Sequence, residues 1–430
     1  MVKPGYRQTE IGVLPESWDT ISFEDCFAIL PNNTLSRAEL NYNGGEVRNI
    51  HYGDILVRFP AVLDCSAEGL PYINKENVSK ASKGLLRDGD LIMADTAEDV
   101  IVGKSTEVIG IGDSKVVSGL HTIPCRPKDG EMFAPKWLGY YINHCAYHDQ
   151  LIPYITGIKV SSVSKSAISS TVIAVPPKLE QEAIAEALSD IDTLIVNLEK
   201  LIAKKKAIKQ GAMQELLTGN RRLPGFDSEW KTVQIGTFTS VFSGGTPSTA
   251  NPLYWGGNIP WMSSGELNMK IVREVRGRIT ATGMENSSTR MIPAFCVLIG
   301  LAGQGKTRGT AAFNTFPLCT NQSIAAIFPN ESQFDSKFLY FYMDTQYTEL
   351  RELSAGGGGR GGLTKKLIED FYVTIPSDIK EQVSIAEILT DIDDEIENLE
   401  KELYKTTAIK QGMMSELLTG RIRLIDKEDA

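Results

Sequence analysis

The 430-residue sequence lacks the signals of secretion, membrane insertion and disulfide cross-linking. No apolar run approaches the roughly 20 residues of a membrane-spanning helix, and the first ten residues hold no apolar signal-peptide core. The six cysteines are scattered and none belongs to a C-x-x-C pair, which argues against a disulfide framework or a zinc knuckle. These absences predict a cytoplasmic protein without a membrane partner.

The sequence also has no overall excess of basic residues. Its formal net charge is -10 at pH 7, but the imbalance is uneven. Residues 377–430 hold 7 Lys and Arg against 14 Asp and Glu, whereas residues 220–376 hold 15 against 12. Phosphate binding depends on local patches more than on the total charge. The charge therefore neither predicts nor excludes a nucleic-acid partner.

Catalytic and metal-binding signatures are weak. Residues Asn251–Tyr254 differ by one residue from the Asn-Pro-Pro-Tyr motif of adenine methyltransferases, because Leu253 replaces a proline. His144 and His148 are four residues apart, as in a metal-binding pair, but no third ligand accompanies them. We therefore predict no catalytic residue, no metal site and no cofactor bound by this chain.

The segment Gly300–Thr307 is an exception, since it fits the phosphate-loop pattern G-x-x-x-x-G-K-[ST]. A phosphate loop must open a helix, yet the residues after Thr307 have little helical character. The region Ile101–Ser105 also contains Gly-Lys-Ser, which favours a duplicated hairpin over a phosphate loop. A P-loop ATPase with a regulatory coiled coil remains an alternative.

An internal repeat is the main feature of the sequence. Residues 180–219 align without gaps with residues 381–420, and 26 of the 40 positions are identical. Each copy has an apolar a/d seam with alternating steps of 4 and 3, which predicts a long coiled-coil helix. The seam residues are Ile184, Leu188, Ile191, Ile195, Leu198 and Ile202 in the first copy, and Ile385, Leu389, Ile392, Ile396, Leu399 and Leu403 in the second. Burial of both seams favours an intramolecular antiparallel coiled coil, with pairing between chains as the alternative.

The duplication extends into the regions that precede each helix. Residues 133–142 match residues 334–343, and residues 90–94 match residues 296–300. We therefore predict a mixed α/β protein in which two tandem domains are separated and followed by long helices. The predicted segments are a domain at 1–178, a helix at 179–219, a domain at 220–376, and a helix with a C-terminal tail at 377–430.

Short motifs accompany this layout through nearly the whole chain. They are Leu14–Trp18, Pro177–Gln181, Ile208–Gly219, Gly244–Ser248, Tyr254–Trp261, Ser263–Gly265, Ser377–Gln382 and Ile409–Gly420. Together with the layout, they resemble the DNA-specificity subunit of Type I restriction-modification systems. The segment Ser377–Gln382 departs from the pattern, because it lacks a proline at position 377 and has one additional residue.

The resemblance implies two target-recognition domains that each read one half of a split, asymmetric site in double-stranded DNA. It also implies that the helices set the spacing and dock two methyltransferase subunits, joined by restriction subunits with motor and nuclease activity. S-adenosylmethionine, ATP and Mg are then expected on the partner subunits. A coiled-coil scaffold that binds only proteins is a further alternative.

Basic and hydroxyl side chains in predicted loops are the candidate DNA contacts. They are Arg58, Lys104, Ser105, Lys159, Ser161 and Ser162 in the first domain, and Ser263, Ser264, Lys306, Thr307, Arg308, Arg360 and Lys365 in the second. Lys270, Arg273, Arg276 and Arg278 form a second basic series that is a candidate for following the DNA phosphates.

Overall fold

The computed structural model describes residues 2–67, 69–81, 83–157, 159–303, 305–355 and 362–425. The chain forms two compact units, which we call unit 1 (residues 1–199 with 402–430) and unit 2 (residues 200–401). Each unit contains one globular part and a segment of each long helix. The four segments predicted from the sequence follow the repeat rather than these contacts, and their boundaries stay a prediction.

The described residues of unit 1 form many short strands and five short helices. The strands are β1 Tyr6–Thr9, β2 Gly12–Pro15, β3 Asp19–Ser22, β4 Phe27–Ile29, β5 Leu40–Asn41, β6 Val47–Ile50, β7 Val62–Asp64, β8 Tyr72–Ile73, β9 Leu91–Ala94, β10 Thr96–Ala97, β11 Ser105–Ile109, β12 Lys115–Ser118, β13 Thr122–Pro127, β14 Ser161–Ser162 and β15 Val172–Val175. The helices are α1 Phe23–Cys26, α2 Tyr52–Val57, α3 Trp137–Asn143, α4 Cys145–His148 and α5 Lys165–Ser169.

The described residues of unit 2 repeat much of this order. The strands are β16 Trp230–Gln234, β17 Val241–Ser243, β18 Trp255–Met262, β19 Ile271–Val272, β20 Gly277–Ile279, β21 Val297–Gly300, β22 Ala311–Asn314, β23 Cys319–Thr320, β24 Ile324–Ile327 and β25 Tyr372–Pro376. The short helices are α7 Ile235–Phe238, α8 Ala281–Glu285, α9 Ser336–Thr345, α10 Tyr347–Ala355 and α11 Lys365–Glu369. The two long helices are α6 Lys178–Leu216 and α12 Ile379–Leu417.

Each unit has a five-stranded sheet with the same topology. The strand order is β4-β13-β9-β11-β7 in unit 1 and β17-β24-β21-β22-β19 in unit 2. In both sheets only the last pair is parallel. A second sheet accompanies each one, with order β12-β6-β8-β5 in unit 1 and β20-β18-β23 in unit 2. The duplication seen in the sequence is therefore a duplication of the fold.

The central strands are continuous apolar runs because both faces of each five-stranded sheet are covered. Successive side chains of a strand point to opposite faces. In β9, Leu91 and Met93 join one hydrophobic cluster, whereas Ile92 and Ala94 join another. Strand β21 divides its side chains between two clusters in the same way. The aromatic helices α3 and α9 pack in the first cluster of their own unit.

The long helices pair antiparallel within each unit. In unit 1, Lys410 of α12 forms an ion pair with Asp192 of α6. In unit 2, Lys209 of α6 pairs with Asp393 of α12 at 2.6 Å. These two pairs occupy equivalent positions of the repeat. None of the twelve predicted seam residues is exposed, as a helix interface requires. The predicted mixed α/β fold with two domains and long antiparallel helices is confirmed.

A buried carboxylate fixes the first turn of each long helix. In unit 1, Glu180 is fully buried and forms an ion pair with Arg423, whose Nη2 lies 2.7 Å from Oε2. In unit 2, Glu381 is fully buried and accepts from Arg222 Nε at 2.6 Å and Nη2 at 2.7 Å. Trp18 donates its indole N–H to Glu180 at 2.8 Å. The segment that follows one long helix thus holds the start of the other.

Candidate nucleic-acid interface

Three strand ends meet on unit 1. Gly119, in the turn before β13, donates its N–H to the carbonyl of Ile50 at the end of β6, at 2.8 Å. Asp95, directly after β9, donates its N–H to the carbonyl of His121 at 3.1 Å and accepts from the N–H of Val163 at 2.9 Å. These backbone bonds bring residues that are far apart in the sequence into one place, which we call the strand-end junction.

Unit 2 contains the same junction. Asn321 donates its N–H to the carbonyl of Met262 at 3.0 Å, Leu301 donates to Ser323 at 2.8 Å, and Leu363 donates to Leu301 at 2.9 Å. Each of these bonds is equivalent to one in unit 1 by sheet register. The backbone frame is therefore shared, and the side chains that it carries differ.

An imidazole, a carboxylate and an aromatic ring occupy the junction of unit 1. His121 Nδ1 lies 3.3 Å from Asp95 Oδ1 and 3.3 Å from the Thr96 hydroxyl. The Tyr52 ring packs edge-on to the His121 ring, with centroids 5.3 Å apart. Burial lowers the pKa of the neighbouring His51, which favours its neutral form. The junction thus presents groups that both donate and accept hydrogen bonds.

Hydroxyl and amide side chains occupy the junction of unit 2. Asn321 donates Nδ2 to the Ser264 hydroxyl at 3.5 Å, and Thr246 donates its hydroxyl to Gln322 Oε1 at 2.5 Å. Gly244 lies against the backbone of β23, where a Cβ would come within 2.2 Å of a carbonyl oxygen. A side chain would not fit in this space, so the Gly-Gly pair of the sequence motif allows the Thr246 segment to approach the turn.

The Gly-Lys-Thr segment of unit 2 forms the predicted hairpin. Strands β21 and β22 pair antiparallel, with Val297 opposite Phe313, and residues 301–310 connect them. Because a turn and strand β22 follow Thr307, the segment does not open a helix whose amides could hold a phosphate. The ATPase alternative is therefore not supported.

Three of the predicted unit 1 contacts lie at or near the junction. Ser161 and Ser162 form β14, which pairs antiparallel with β10, with Ser162 opposite Thr96. Lys159 is exposed two residues earlier in the chain. Their contact with DNA stays a prediction, and the pairing of β14 with β10 places Ser161 and Ser162 beside the strand-end junction.

The side chains of the other unit 1 candidates form hydrogen bonds to backbone carbonyls of the same unit. Lys104 donates Nζ to the carbonyl of Leu56 at 2.9 Å, and burial lowers the pKa of its ammonium group. Arg58 donates to the carbonyl of Gly69 at 2.7 Å. Ser105 is fully buried and donates its hydroxyl to a nearby backbone carbonyl. The structure contradicts the prediction for Ser105, because a buried hydroxyl cannot reach a DNA surface.

The unit 2 candidates cluster more closely. Lys306 is exposed, and Thr307 and Arg308 are half-buried, in the connection between β21 and β22. Arg351 of α10 reaches this connection and donates to the carbonyl of Gly305. The backbone of the hairpin is thus held by an adjacent helix, and the contact of its basic side chains with DNA stays a prediction.

Two further unit 2 candidates make local contacts. The N–H of Ser263 donates to the Glu266 carboxylate at 2.8 Å, as part of a capping box. Lys365 forms an ion pair with Glu369 at 3.2 Å and is two residues from the junction residue Leu363. Arg360 lies outside the described residues.

The second basic series of unit 2 has a different environment from the one predicted. Lys270 pairs with Asp344 of α9 at 2.6 Å, and Arg273 pairs with Glu397 of α12 at 3.1 Å. These ion pairs direct both side chains toward helices of the same unit. The structure therefore argues against the predicted phosphate contacts of these two residues.

Sequence reasoning missed the residues that form the junction itself. His51, Tyr52, Asp95 and His121 were not candidates in unit 1, and neither was the turn 321–323 in unit 2. The repeat contained the necessary signal: extending the match of residues 90–94 with 296–300 by one position aligns Asp95 with Leu301. Asp95 and Leu301 occupy equivalent positions at the ends of equivalent strands, yet one is charged and the other is apolar. The fold therefore does not determine the residue type at this position.

The described residues contain no group of three or more His, Cys, Asp or Glu side chains arranged to hold a metal ion. His148 Nε2 lies 2.8 Å from the carbonyl of Val102, and His144 Nδ1 accepts from the N–H of Ala146 at 3.3 Å. Among the same residues, no helix is long and apolar enough to cross a membrane.

Comparison with known proteins assigns the fold to a family. The model of the family described as Type I restriction modification DNA specificity domain matches residues 15–210 and 227–406. The chain belongs to this family. The resemblance seen in the sequence is thereby confirmed, and the family model matches the chain twice, once in each half.

Relatives and solved structures agree with this assignment. The chain is 24% identical over 439 residues to the putative type I restriction enzyme MjaX specificity subunit of Methanocaldococcus jannaschii, covering 97% of each chain. It is 28% identical over 187 residues to the EcoR124I/EcoR124II specificity subunit of Escherichia coli, covering 43% of this chain and 45% of that one. The fold matches the Type-I restriction-modification S subunit from M. genitalium with a TM-score of 0.60, at 14% identity, over 93% of this chain and 96% of the other.

Proposed function

We propose that this chain is the non-catalytic subunit that reads a split, asymmetric site in double-stranded DNA for a Type I restriction-modification complex. Unit 1 reads one half of the site and unit 2 reads the other. Two methyltransferase subunits dock on the long helices and carry S-adenosylmethionine and the adenine chemistry. Restriction subunits with motor and nuclease activity carry ATP and Mg.

The observation that supports this proposal is the pair of strand-end junctions. Equivalent backbone hydrogen bonds join Asp95 to His121 in unit 1 and Leu301 to Ser323 in unit 2, so the same frame holds different side chains. Sequence is read by side chains that meet base edges, whereas contacts to phosphates only position the protein. Two different readers recognise an asymmetric site, whereas two identical readers would recognise a palindrome.

The long helices support the proposed docking role. They pair over much of their length and leave one side of each helix to solvent. A solved chain from a type I R-M system, described in connection with complex assembly and conformational transition, shares the fold with a TM-score of 0.52, at 16% identity, over 95% of this chain and 99% of the other. We infer that this chain also acts as a member of an assembly.

Adenine-methylation mapping tests the proposal. The chain and its methyltransferase partner are expressed separately and together in a host without its own modification systems. We expect one split, asymmetric motif that appears only when both are present. Methylation that is unchanged without this chain would contradict the proposal, and complex formation without sequence-dependent DNA binding would favour a protein-only scaffold.

A further inference from the structure

His121 occupies a backbone conformation that few residues with side chains adopt. Its φ is 54°, in the left-handed region, which is uncommon for residues other than glycine and is found among residues that functional sites hold in strained conformations. Its carbonyl accepts from the N–H of Asp95, and its ring returns to the Asp95 carboxylate at 3.3 Å. The side chain is still 46% exposed. The imidazole is therefore held in position and remains open to solvent.

The contact with Asp95 determines what the ring can offer to a ligand. A carboxylate beside Nδ1 favours a hydrogen on that nitrogen. Nε2 has no hydrogen-bond partner in the described part of the chain. In the neutral ring Nε2 accepts, which suits the amino group of adenine or cytosine; in the protonated ring it donates, which suits N7 or O6 of guanine.

Unit 2 shows that the backbone frame does not need this pair of side chains. The N–H of Leu301 donates to the carbonyl of Ser323 at 2.8 Å, and this bond is equivalent to the one between Asp95 and His121. Neither an imidazole nor a carboxylate occupies these two positions. The equivalent backbone hydrogen bond thus forms without the His121–Asp95 pair.

We propose that His121 is a specificity-determining residue of unit 1, positioned by Asp95, and that its ring reads one base pair of the half-site. This inference rests on the proposed function and assigns the reading of one position to one side chain. The other titratable groups that face the ring are Tyr52 and His51 of the α2 region. The charges of the Arg37–Asp54 ion pair act on His51 in turn.

The test uses the complex of the full chain with its methyltransferase subunits. Methylation mapping first defines the wild-type site. Methylation rates are then measured on duplexes that carry each single base-pair change. Discrimination is the rate ratio between the wild-type duplex and each changed duplex. This ratio removes effects on the overall activity of the complex.

Three variants separate base reading from folding. H121N is the principal variant, because asparagine tolerates left-handed backbone but has no imidazole ring. D95N retains a hydrogen-bonding group but removes the charge that orients the ring. S323A changes the equivalent position of unit 2 and serves as the matched control.

H121N should lower discrimination at one base pair of the unit 1 half-site roughly 5- to 100-fold, D95N should lower it at the same base pair by a smaller factor, and S323A should leave the unit 1 half-site unchanged. Unaltered discrimination in H121N would overturn the inference while the proposed function stands. Complete loss of methylation in H121N would also overturn it by indicating a structural role. A wild-type complex without a split motif would contradict both proposals.

Discussion

Unit 1 and unit 2 repeat the contacts that hold the long helices. Glu180 with Arg423 in unit 1 corresponds to Glu381 with Arg222 in unit 2. The amide of Gln181 also bonds the backbone N–H of Ala134 at 2.9 Å, and the equivalent contact in unit 2 has the same length. Contacts shared to this degree belong to the scaffold, because both units must hold the same pair of helices.

The two units differ where the scaffold imposes no constraint. At the junction, His121 in unit 1 corresponds to Ser323 in unit 2. Beside α3, the buried Glu107 of unit 1 corresponds to Phe313 of unit 2, since each lies opposite the first residue of an equivalent strand. The comparison separates positions that preserve the fold from positions that are free to differ, and variants at both kinds of position can test that separation.

The largest expected effect comes from removing the arginine that neutralises a buried carboxylate. A buried carboxylate that loses its cation commonly destabilises a domain by about 3–5 kcal/mol. R222A should affect unit 2 more than R423A affects unit 1, because Glu180 retains the indole N–H of Trp18. Hydrogen exchange on the full chain reports each unit separately, and equal loss of protection in the two variants would contradict the difference.

Glu107 predicts a contribution to the stability of unit 1 that depends on pH, whereas Phe313 at the equivalent position of unit 2 has no ionisable group. Burial raises its pKa to about 7 from an ordinary value of 4.5. The folded state therefore keeps the proton to higher pH than the unfolded chain does. The contribution of Glu107 to the stability of unit 1 should be largest below about pH 4.5 and should fall as the pH rises to about 7. Above that value it should change little, and the total loss should be at most about 3 kcal/mol.

E107Q, which resembles the protonated acid, should remove this dependence. Hydrogen exchange in β9, corrected for the intrinsic effect of pH, measures it, and β21 of unit 2 serves as the internal control. The same slope in wild type and E107Q would assign the effect to another group.

The two scaffold tryptophans should respond differently to the same substitution. Trp18 donates its indole N–H to Glu180 at 2.8 Å, whereas the buried indole N–H of Trp230 has no hydrogen-bond partner among the described residues. W18F should therefore destabilise unit 1 by about 1–2 kcal/mol more than W230F destabilises unit 2. Exchange protection of β3 and β16 measures this difference, and a larger loss in W230F would contradict the hydrogen-bond assignment.

The smallest expected effect compares the two Gly-Lys hairpins. K306A should weaken binding of the assembled complex to specific and nonspecific DNA alike, and lower the slope of log affinity against log salt by about 1. K104A should mainly reduce exchange protection of unit 1, because Lys104 already donates to Leu56. Binding titrations at several salt concentrations distinguish the two, and equal salt slopes in K306A and wild type would remove Lys306 from the interface.

The sequence was sufficient to predict features that depend on local periodicity. The seam of α6, from Ile184 to Ile202, has the spacing of a helix and is buried or half-buried throughout. The Gly-Lys-Thr hairpin was predictable because the residues after Thr307 do not have a helical pattern. The repeat also predicted the duplicated domains, since its two copies share their strand and helix motifs.

The junction was not predictable from local pattern, because sheet register creates it. Ile50 and Gly119 are bonded through the parallel pairing of β6 with β12, and His121 reaches Asp95 only through the pairing of β13 with β9. The sequence also did not reveal which polar side chains are buried. Ser105 looks like an accessible loop serine, but it begins a strand whose surroundings are supplied by distant segments.

Exchange of one reader is the most direct test of the account. Residues 1–178 are replaced by the corresponding segment of the M. jannaschii relative, and adenine methylation is mapped with the same methyltransferase partner. The account predicts that one half of the split motif changes, while the other half and the spacing persist. A change in both halves, or in neither, would contradict the claim that each unit reads its own half-site.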